Sequence, residues 1–164
     1  MRQTTICLLI RESLPVGGKK ELLLAMKKRG FGVGKWNGVG GKIDLEKGDK
    51  NIVEAAIRET EEEIGVKVKE LEKVAVFNFY YPYHHSWNQN VHVFLVKSWD
   101  GEPVETEEMM PKWFKAEEIP FGKMWDDDKF WLPQILGGKK VKGEFIFKEG
   151  EKVSEKNIKI VENI

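Results

Sequence analysis

The sequence predicts an α/β (α+β) fold in which a mixed β-sheet lies between helices. Three observations predict it. Most apolar runs are short, rich in β-branched residues and bounded by turn residues, so they read as strands. Only two segments carry helical spacing, and they stand far apart in the chain. One cysteine, with 41% apolar residues including nine Phe and six Trp, describes a folded core that does not depend on disulfides. Strands in the majority with two separated helices make a sheet covered by helices.

The elements follow in order. Thr4–Ile10 is a β-branched and aliphatic strand, and Ser13–Lys20 (SLPVGGKK) is a turn leading to a second strand, Glu21–Lys27. Gly30–Lys42 (GFGVGKWNGVGGK) holds six glycines in 13 residues, which excludes a regular helix there. Asp44–Lys50 is a polar loop. Asn51–Ile64 is the strongest helix, with Ile52, Val53, Ala56, Ile57, Thr60 and Ile64 at helical spacing and Gly65 as its stop. Val74–Tyr81 and Val91–Ser98 are strands joined by an aromatic, polar linker, PYHHSWNQN. Lys112–Lys115 is a short strand, Asp126–Leu136 the second helix, and Gly143–Lys148 and Asn157–Val161 the last strands.

Length and charge bound the function. At roughly 150 residues per domain, 164 residues make one domain, 1–164. Twenty-seven basic residues against 27 acidic ones give no excess for clamping nucleic acid or a membrane surface. The apolar run near the start is too short for a signal segment or a span. The single Cys7, set in an apolar run, fits a reducing cytoplasm. A monomer acting on a small molecule is the expectation.

The segment Arg58–Val66 reads RETEEEIGV. On a helix Glu59, Glu62 and Glu63 stand at i, i+3 and i+4 and share one face, where like charges repel. A hard divalent cation would reverse that repulsion, because Mg²⁺ takes carboxylate oxygens together with waters and substrate phosphates. The alternative is a charged, solvated face, which is where Glu61 is expected. Arg58 is expected to brace the glutamates as an ion pair. The Gly-rich segment lacks the spacing of a P-loop and has no strand–GxGxxG–helix arrangement. His84 and His85 lack a third ligand at zinc spacing. His92 reads as a satisfied strand residue, and Lys139, Lys140 and Lys142 as a solvated turn.

Gly41 followed by Arg58-Glu59-Thr60-Glu61-Glu62-Glu63-Ile64-Gly65-Val66 resembles the Nudix box. Thr60 replaces an aliphatic residue of the pattern. Gly41 to Arg58 spans 17 positions, three more than the pattern, so its early acidic position falls on Glu46 or Asp49. Met26–Gly32, Trp36-Asn37-Gly38, Gly40-Gly41-Lys42, Val91–Phe94, Glu108-Met109, Pro120-Phe121 and Met124–Asp128 resemble the MutT-homologue branch. The resemblance runs from about Thr5 to Val161. It implies the Nudix fold and Mg²⁺-dependent hydrolysis of oxidised purine nucleoside triphosphates, typified by 8-oxo-dGTP and 2-hydroxy-dATP. The products would be monophosphate and pyrophosphate, and the role cleansing of the nucleotide pool. Mn²⁺ is the alternative ion. Other substrates of the family, a methylated purine triphosphate or a dinucleotide polyphosphate, are the nearest rivals, and a non-catalytic nucleotide-binding module is a further one.

Residue by residue, the resemblance places metal at Glu59, Glu62, Glu63, the Gly41 carbonyl and Glu108. The general base is Glu59, Glu63 or Glu108. Gly40 allows close approach of phosphate, since no Cβ intrudes. Thr5 and Lys27 match pocket positions of the branch. Phe31 and Trp125 offer flat faces for stacking, and Asn37 can both donate and accept at a base edge. Asp127 and Asp128 either cap the second helix or read the base, one carboxyl keeping its proton beside the other's charge. The linker Tyr80–Asn90 is longer than in the branch and borders the pocket.

Overall fold

A computed structural model describes residues 1–12 and 19–164. The expected turn at Ser13–Lys20 lies, for residues 13–18, outside the described residues. Eight strands form one mixed sheet: β1 (Arg2–Glu12), β2 (Lys20–Lys27), β3 (Trp36–Asn37), β4 (Lys67–Tyr80), β5 (Gln89–Asp100), β6 (Met109–Lys115), β7 (Lys140–Lys148) and β8 (Lys152–Val161). Their order is β3-β2-β1-β5-β4-β7-β8, with β6 on β2. β1 runs parallel to β5 and β4 parallel to β7, while the other pairs are antiparallel. Helix α1 is Ile52–Ile64 and α2 is Asp128–Leu136.

The sheet is buried on both faces, as the alternation along β1 shows. Ile6 and Leu8 join a core with Phe77, Phe145, Trp131 and Leu132, which α2 covers. Cys7 and Leu9 join a second core with Ala56, Ile64, Val66 and Phe94, which α1 covers. The mixed sheet between helices is therefore the observed architecture. Within α1 the side chains depart slightly from the expected face. Ala55 is fully buried and Val53 is exposed, so the apolar stripe is rotated by part of a turn. Thr60 stands in place of an aliphatic residue with its buried hydroxyl satisfied, donating to the Ala56 carbonyl at 2.8 Å, one turn back.

One irregularity positions the site. β1 and β2 pair only from Ile10↔Leu22 to Glu12↔Lys20 and then diverge. The far end of β2 pairs instead with β3, at Ala25↔Asn37 and Met26↔Trp36. After β3 the chain crosses to β1, where Val39 pairs with Cys7 and Lys42 with Thr4. The Gly-rich segment turns at residues 30–34 and is extended from Trp36 onward, where it fills the fork between two strands. Among the described residues no helix is long and apolar enough to cross a membrane.

Candidate active site

α1 is held at both ends. The Asn51 side chain accepts from the Glu54 N–H at 2.9 Å, and Glu54 accepts from the Lys50 N–H at 2.6 Å, a reciprocal cap. Gly65 closes the helix at φ 71°, its N–H donating to the Glu61 carbonyl. Glu54 therefore serves the helix end. Between the caps, Arg58 reaches out of the helix to Asp49, with Nε at 2.9 Å and Nη2 at 2.8 Å from its two oxygens. Arg58 also donates to Glu59 at 3.0 Å, to Glu62 at 3.1 Å and to the Lys42 carbonyl at 3.1 Å. The Arg58 hydrogen bonds hold the buried Asp49 carboxyl below its ordinary range. The early acidic position is thus Asp49, whereas Glu46 is exposed.

Glu63 turns the other way and accepts the Gly40 N–H at 3.1 Å. Its carboxyl is pushed up to about 8, chiefly by burial, with the Glu59 charge adding and the Gly40 N–H opposing. Glu59 lies against Gly41, where a Cβ would overlap its carboxyl carbon. At Gly40 a Cβ would overlap the Thr5 carbonyl. Two adjacent glycines are needed because the segment is squeezed between β1 on one side and α1 on the other.

The Gly41 carbonyl, expected as a ligand, is engaged by Thr5. That oxygen accepts from the Thr5 N–H at 2.9 Å and from Thr5 Oγ1 at 3.1 Å, so it faces β1. In an extended segment neighbouring carbonyls point to opposite sides. Gly40 alternates with Val39 and Gly41, its N–H meets Glu63, and its carbonyl belongs to the α1 side. Glu62 is half exposed and bonded to Arg58 and Lys47. Glu108 is exposed at the rim, its carboxyl lowered by hydrogen bonds from Arg29. Among the described residues no three carboxylate, imidazole or thiol groups close into a finished metal cage. The donor set is nevertheless all hard oxygen, and the half-buried Glu63 carboxyl has a backbone N–H against it.

A cavity of about 310 Å³ opens beside this face, and Glu63, Gly40 and Gly41 line one part of it. Thr5, Lys27, Phe31, Asn37, Trp125, Asp127 and Asp128 line the rest. All eight residues expected to meet substrate therefore border one space. Phe31 and Trp125 lie 5.1 Å apart, centroid to centroid, and Lys35 sits 5.1 Å over the Trp125 ring. Asn37 accepts the Gly38 N–H at 2.8 Å.

Asp127 and Asp128 are buried. Asp127 Oδ2 accepts from Trp131 Nε1 at 2.8 Å, while Asp127 Oδ1 and Asp128 Oδ2 have no protein partner. Asp127 occupies the cap position of α2, which begins at Asp128 rather than Asp126, yet makes no capping bond. The Asp127 side chain thus does not cap the helix. Burial raises both carboxyls, and the Asp127 charge raises Asp128 further.

Sequence reasoning put the Tyr80–Asn90 linker at the pocket without singling out Tyr81 or Gln89, and it missed Lys35 as a lining residue. The available signal was the alternation Phe77, Phe79, Tyr81, which carries one face of β4 into the linker. His92 Nε2 donates to Gln3 Oε1 at 2.7 Å, and burial lowers its pKa to about 4. His84 stacks on Trp87.

The sequence pattern of the NUDIX domain matches residues 2–135. The chain is 41% identical over 143 residues to the oxidized purine nucleoside triphosphate hydrolase of Danio rerio, covering 87% of this chain and 89% of that one. It is 39% identical over 144 residues to the protein of the same name in Mus musculus, covering 88% and 90%. In fold it resembles the MutT protein of Bacillus halodurans, with a TM-score of 0.79, 22% identity and coverage of 96% and 97%.

Proposed function

The chain belongs to the NUDIX family, and on that premise we propose that it hydrolyses oxidised purine nucleoside triphosphates to monophosphate and pyrophosphate. 8-oxo-dGTP and 2-hydroxy-dATP are the substrates proposed, and cleansing of the nucleotide pool the role. The two relatives named above carry this activity in their names. One observation in the structure carries the reading. A single cavity joins a buried carboxyl pair with free oxygens, flanked by stacking rings, to the Glu63 and Gly40-Gly41 face. The first end suits a purine whose edge both donates and accepts, and the second suits phosphate.

The reaction places a water oxygen on a phosphorus of the chain linking the nucleoside monophosphate to pyrophosphate. The bridging P–O bond breaks, and the water proton passes to a carboxylate. Glu63 and Glu59 are the carboxylates proposed for that proton, with Glu108 at the rim as the third candidate. Glu59, Glu62, Glu63 and the Gly40 carbonyl would hold a divalent metal, Mg²⁺ with Mn²⁺ as its substitute, and Glu108 would complete the set on leaving Arg29. The metal, when bound, supplies positive charge against the phosphates. Arg58 keeps Glu59 and Glu62 oriented and stays anchored to Asp49. Phe31 and Trp125 clamp the base, Asn37, Asp127 and Asp128 read its edge, and Lys27 and Thr5 line the space between.

Residues 1–164 are proposed to act as one domain, since β7 and β8 extend the sheet beyond the family-matched segment. A cytoplasmic monomer without nucleic-acid partners fits the balanced charge and the buried thiol of Cys7. The test is pyrophosphate release with Mg²⁺ from 8-oxo-dGTP, 2-hydroxy-dATP, dGTP and dATP, beside Glu63→Gln. Preference for the oxidised pair, lost in the variant, is expected. Equal turnover of all four would overturn the substrate.

A further inference from the structure

Of the two rings proposed to clamp the base, Phe31 is the more exposed, at 42%, while Trp125 is half-buried. The neighbours of Phe31 are Gly30 and Gly32, with φ of 83° and 82°, and neither has a side chain to brace the ring. A ring so placed is ordered only by contacts from elsewhere, against the rotamer entropy it would otherwise keep. Two rings supply them. Trp125 lies 5.1 Å from it at 35°, and Trp87 lies 4.8 Å from it at 53°. Among the described residues that border the cavity, Phe31 and Trp125 are present and Trp87 is not. Trp87 thus touches the wall of the cavity and not the cavity.

Trp87 is mounted on a strap that closes on itself. The His84 N–H donates to the Tyr81 carbonyl at 2.9 Å, and the Trp87 N–H to the His84 carbonyl at 3.0 Å. The Tyr81 N–H donates to the Asn88 side chain at 2.6 Å, which closes the base of the loop. Arg2, at the start of β1, donates to the Ser86 carbonyl and fastens the strap to the sheet. Three further rings grip the indole. His84 stacks on it at 4.0 Å and 10°, and Tyr81 and Tyr83 meet it edge-on at 5.7 and 5.9 Å. Tyr81 stacks in turn on the buried Phe147 of β7, at 4.8 Å and 8°. A series of rings therefore runs from the core of the sheet through Tyr81 and Trp87 to Phe31. Aromatic pairs at these separations attract beyond the area they bury. Nothing in the hydrolytic scheme above uses this series.

We propose that Trp87 is a positioning residue for base binding: seated on its strap, it holds the Phe31 ring beside Trp125 before the nucleotide arrives. The stacking wall is then preset, and binding does not have to arrest a loose ring. The strap is a scaffold for that wall. The proposal rests on the purine reading given above and deepens it, because it names what sets the surface on which the base stacks.

The experiment is a double-mutant cycle in the full chain, read by calorimetric binding of 8-oxo-dGMP and by KM and kcat for 8-oxo-dGTP. Trp87→Ala is expected to weaken 8-oxo-dGMP about fivefold and to raise KM similarly, the cost of ordering one freed ring. The kcat should stay nearly unchanged, because the strap carries none of the hydrolytic glutamates. Trp87→Phe, which keeps a flat ring, should restore most of the affinity, and Trp87→Leu, which keeps bulk without one, should restore less. In a Phe31→Ala chain, Trp87→Ala should cost less than about twofold further, because the ring it served is gone. An equal loss in both backgrounds would overturn the proposal, since Trp87 would then act without Phe31. Wild-type affinity in Trp87→Ala would overturn it as well. Thermal unfolding of each variant detects loss of fold. If Trp87→Ala does not stay folded, the cycle with Trp87→Leu decides by the same comparison of backgrounds. A wild-type chain that binds none of 8-oxo-dGMP, dGMP and dAMP would overturn the purine reading itself, a result that no Trp87 variant can imitate.

Discussion

Asp49 and Arg58 show how much a single pair decides. Their side chains are 3% and 15% exposed, and two parallel hydrogen bonds join them. Removing one partner of such a pair leaves a stranded charge, a cost of about 3 kcal/mol or more. Asp49→Ala should therefore lower the unfolding free energy measured by denaturant titration by that amount and reduce turnover, because Arg58 would no longer be anchored between Glu59 and Glu62. The sign with pH follows from the lowered Asp49 carboxyl. Its stabilisation is present above the unfolded value of about 4 and is lost as pH falls through the lower folded one. The acid limb of a stability curve should be flatter in Asp49→Ala, and an unchanged limb would contradict the assignment. At this scale the sequence was informative where chemistry is unusual and mute where burial decides. The three glutamates were legible as a group from type and spacing, whereas the paired aspartates and Asn37 were singled out by the resemblance to the MutT-homologue branch. The choice of Asp49 over Glu46 was not legible, since spacing cannot say which carboxylate is buried. The carbonyl chosen at Gly40-Gly41 depends on strand pairing that no local pattern carries.

Helix α1 brings the glutamates to the fork, and its ends are as telling as its face. Asn51→Ala removes the cap and should cost about 1 kcal/mol, read as a lower melting temperature. Gly65→Ala forces a side chain into the left-handed region, with a Cβ at 3.0 Å from Val104 Cγ2, and should cost about 1–2 kcal/mol. Gly41→Ala belongs to a different class. Its Cβ would displace Glu59, so it should abolish turnover with a smaller effect on unfolding. These ends were readable in the sequence because Asn and Gly have local physical roles there. Strand ends were less so. β4 starts at Lys67, seven residues before the apolar run at Val74, because register shifts at Val68/Glu70, Glu70/Leu71 and Lys73/Ala75 break the alternation. β8 is mostly exposed, and its first half carries too few apolar residues to announce a strand. Its pairing with β7 supplies what its composition does not.

For the whole molecule, the buried carboxyl pair at the start of α2 links substrate binding to stability. Burial raises both groups, so the folded chain holds their protons more tightly than the unfolded chain does. That contribution is complete below about pH 4 and declines as pH rises through the folded values. Asp128→Asn should therefore flatten the decline in melting temperature on the way to neutral pH, while weakening the purine substrate. A decline as steep as in the parent would show that the pair ionises freely. The fold class, the helix order and the alternation of both cores were legible, because period and turn chemistry are local. The fork between β1 and β2 was not, because it arises from three strands competing for one edge. That fork has a further consequence. Thr5 bonds the Gly41 backbone and also lines the cavity, so one rod of chain supports both the Glu63 side of that cavity and the side proposed for the base. A slip of β1 would move both sides at once. Preference among bases must then be adjusted elsewhere, in the segment around Tyr81–Gln89 and at the head of α2, neither of which holds the hydrolytic glutamates. Such a chain can change its diet over generations while its cutting edge stays the same.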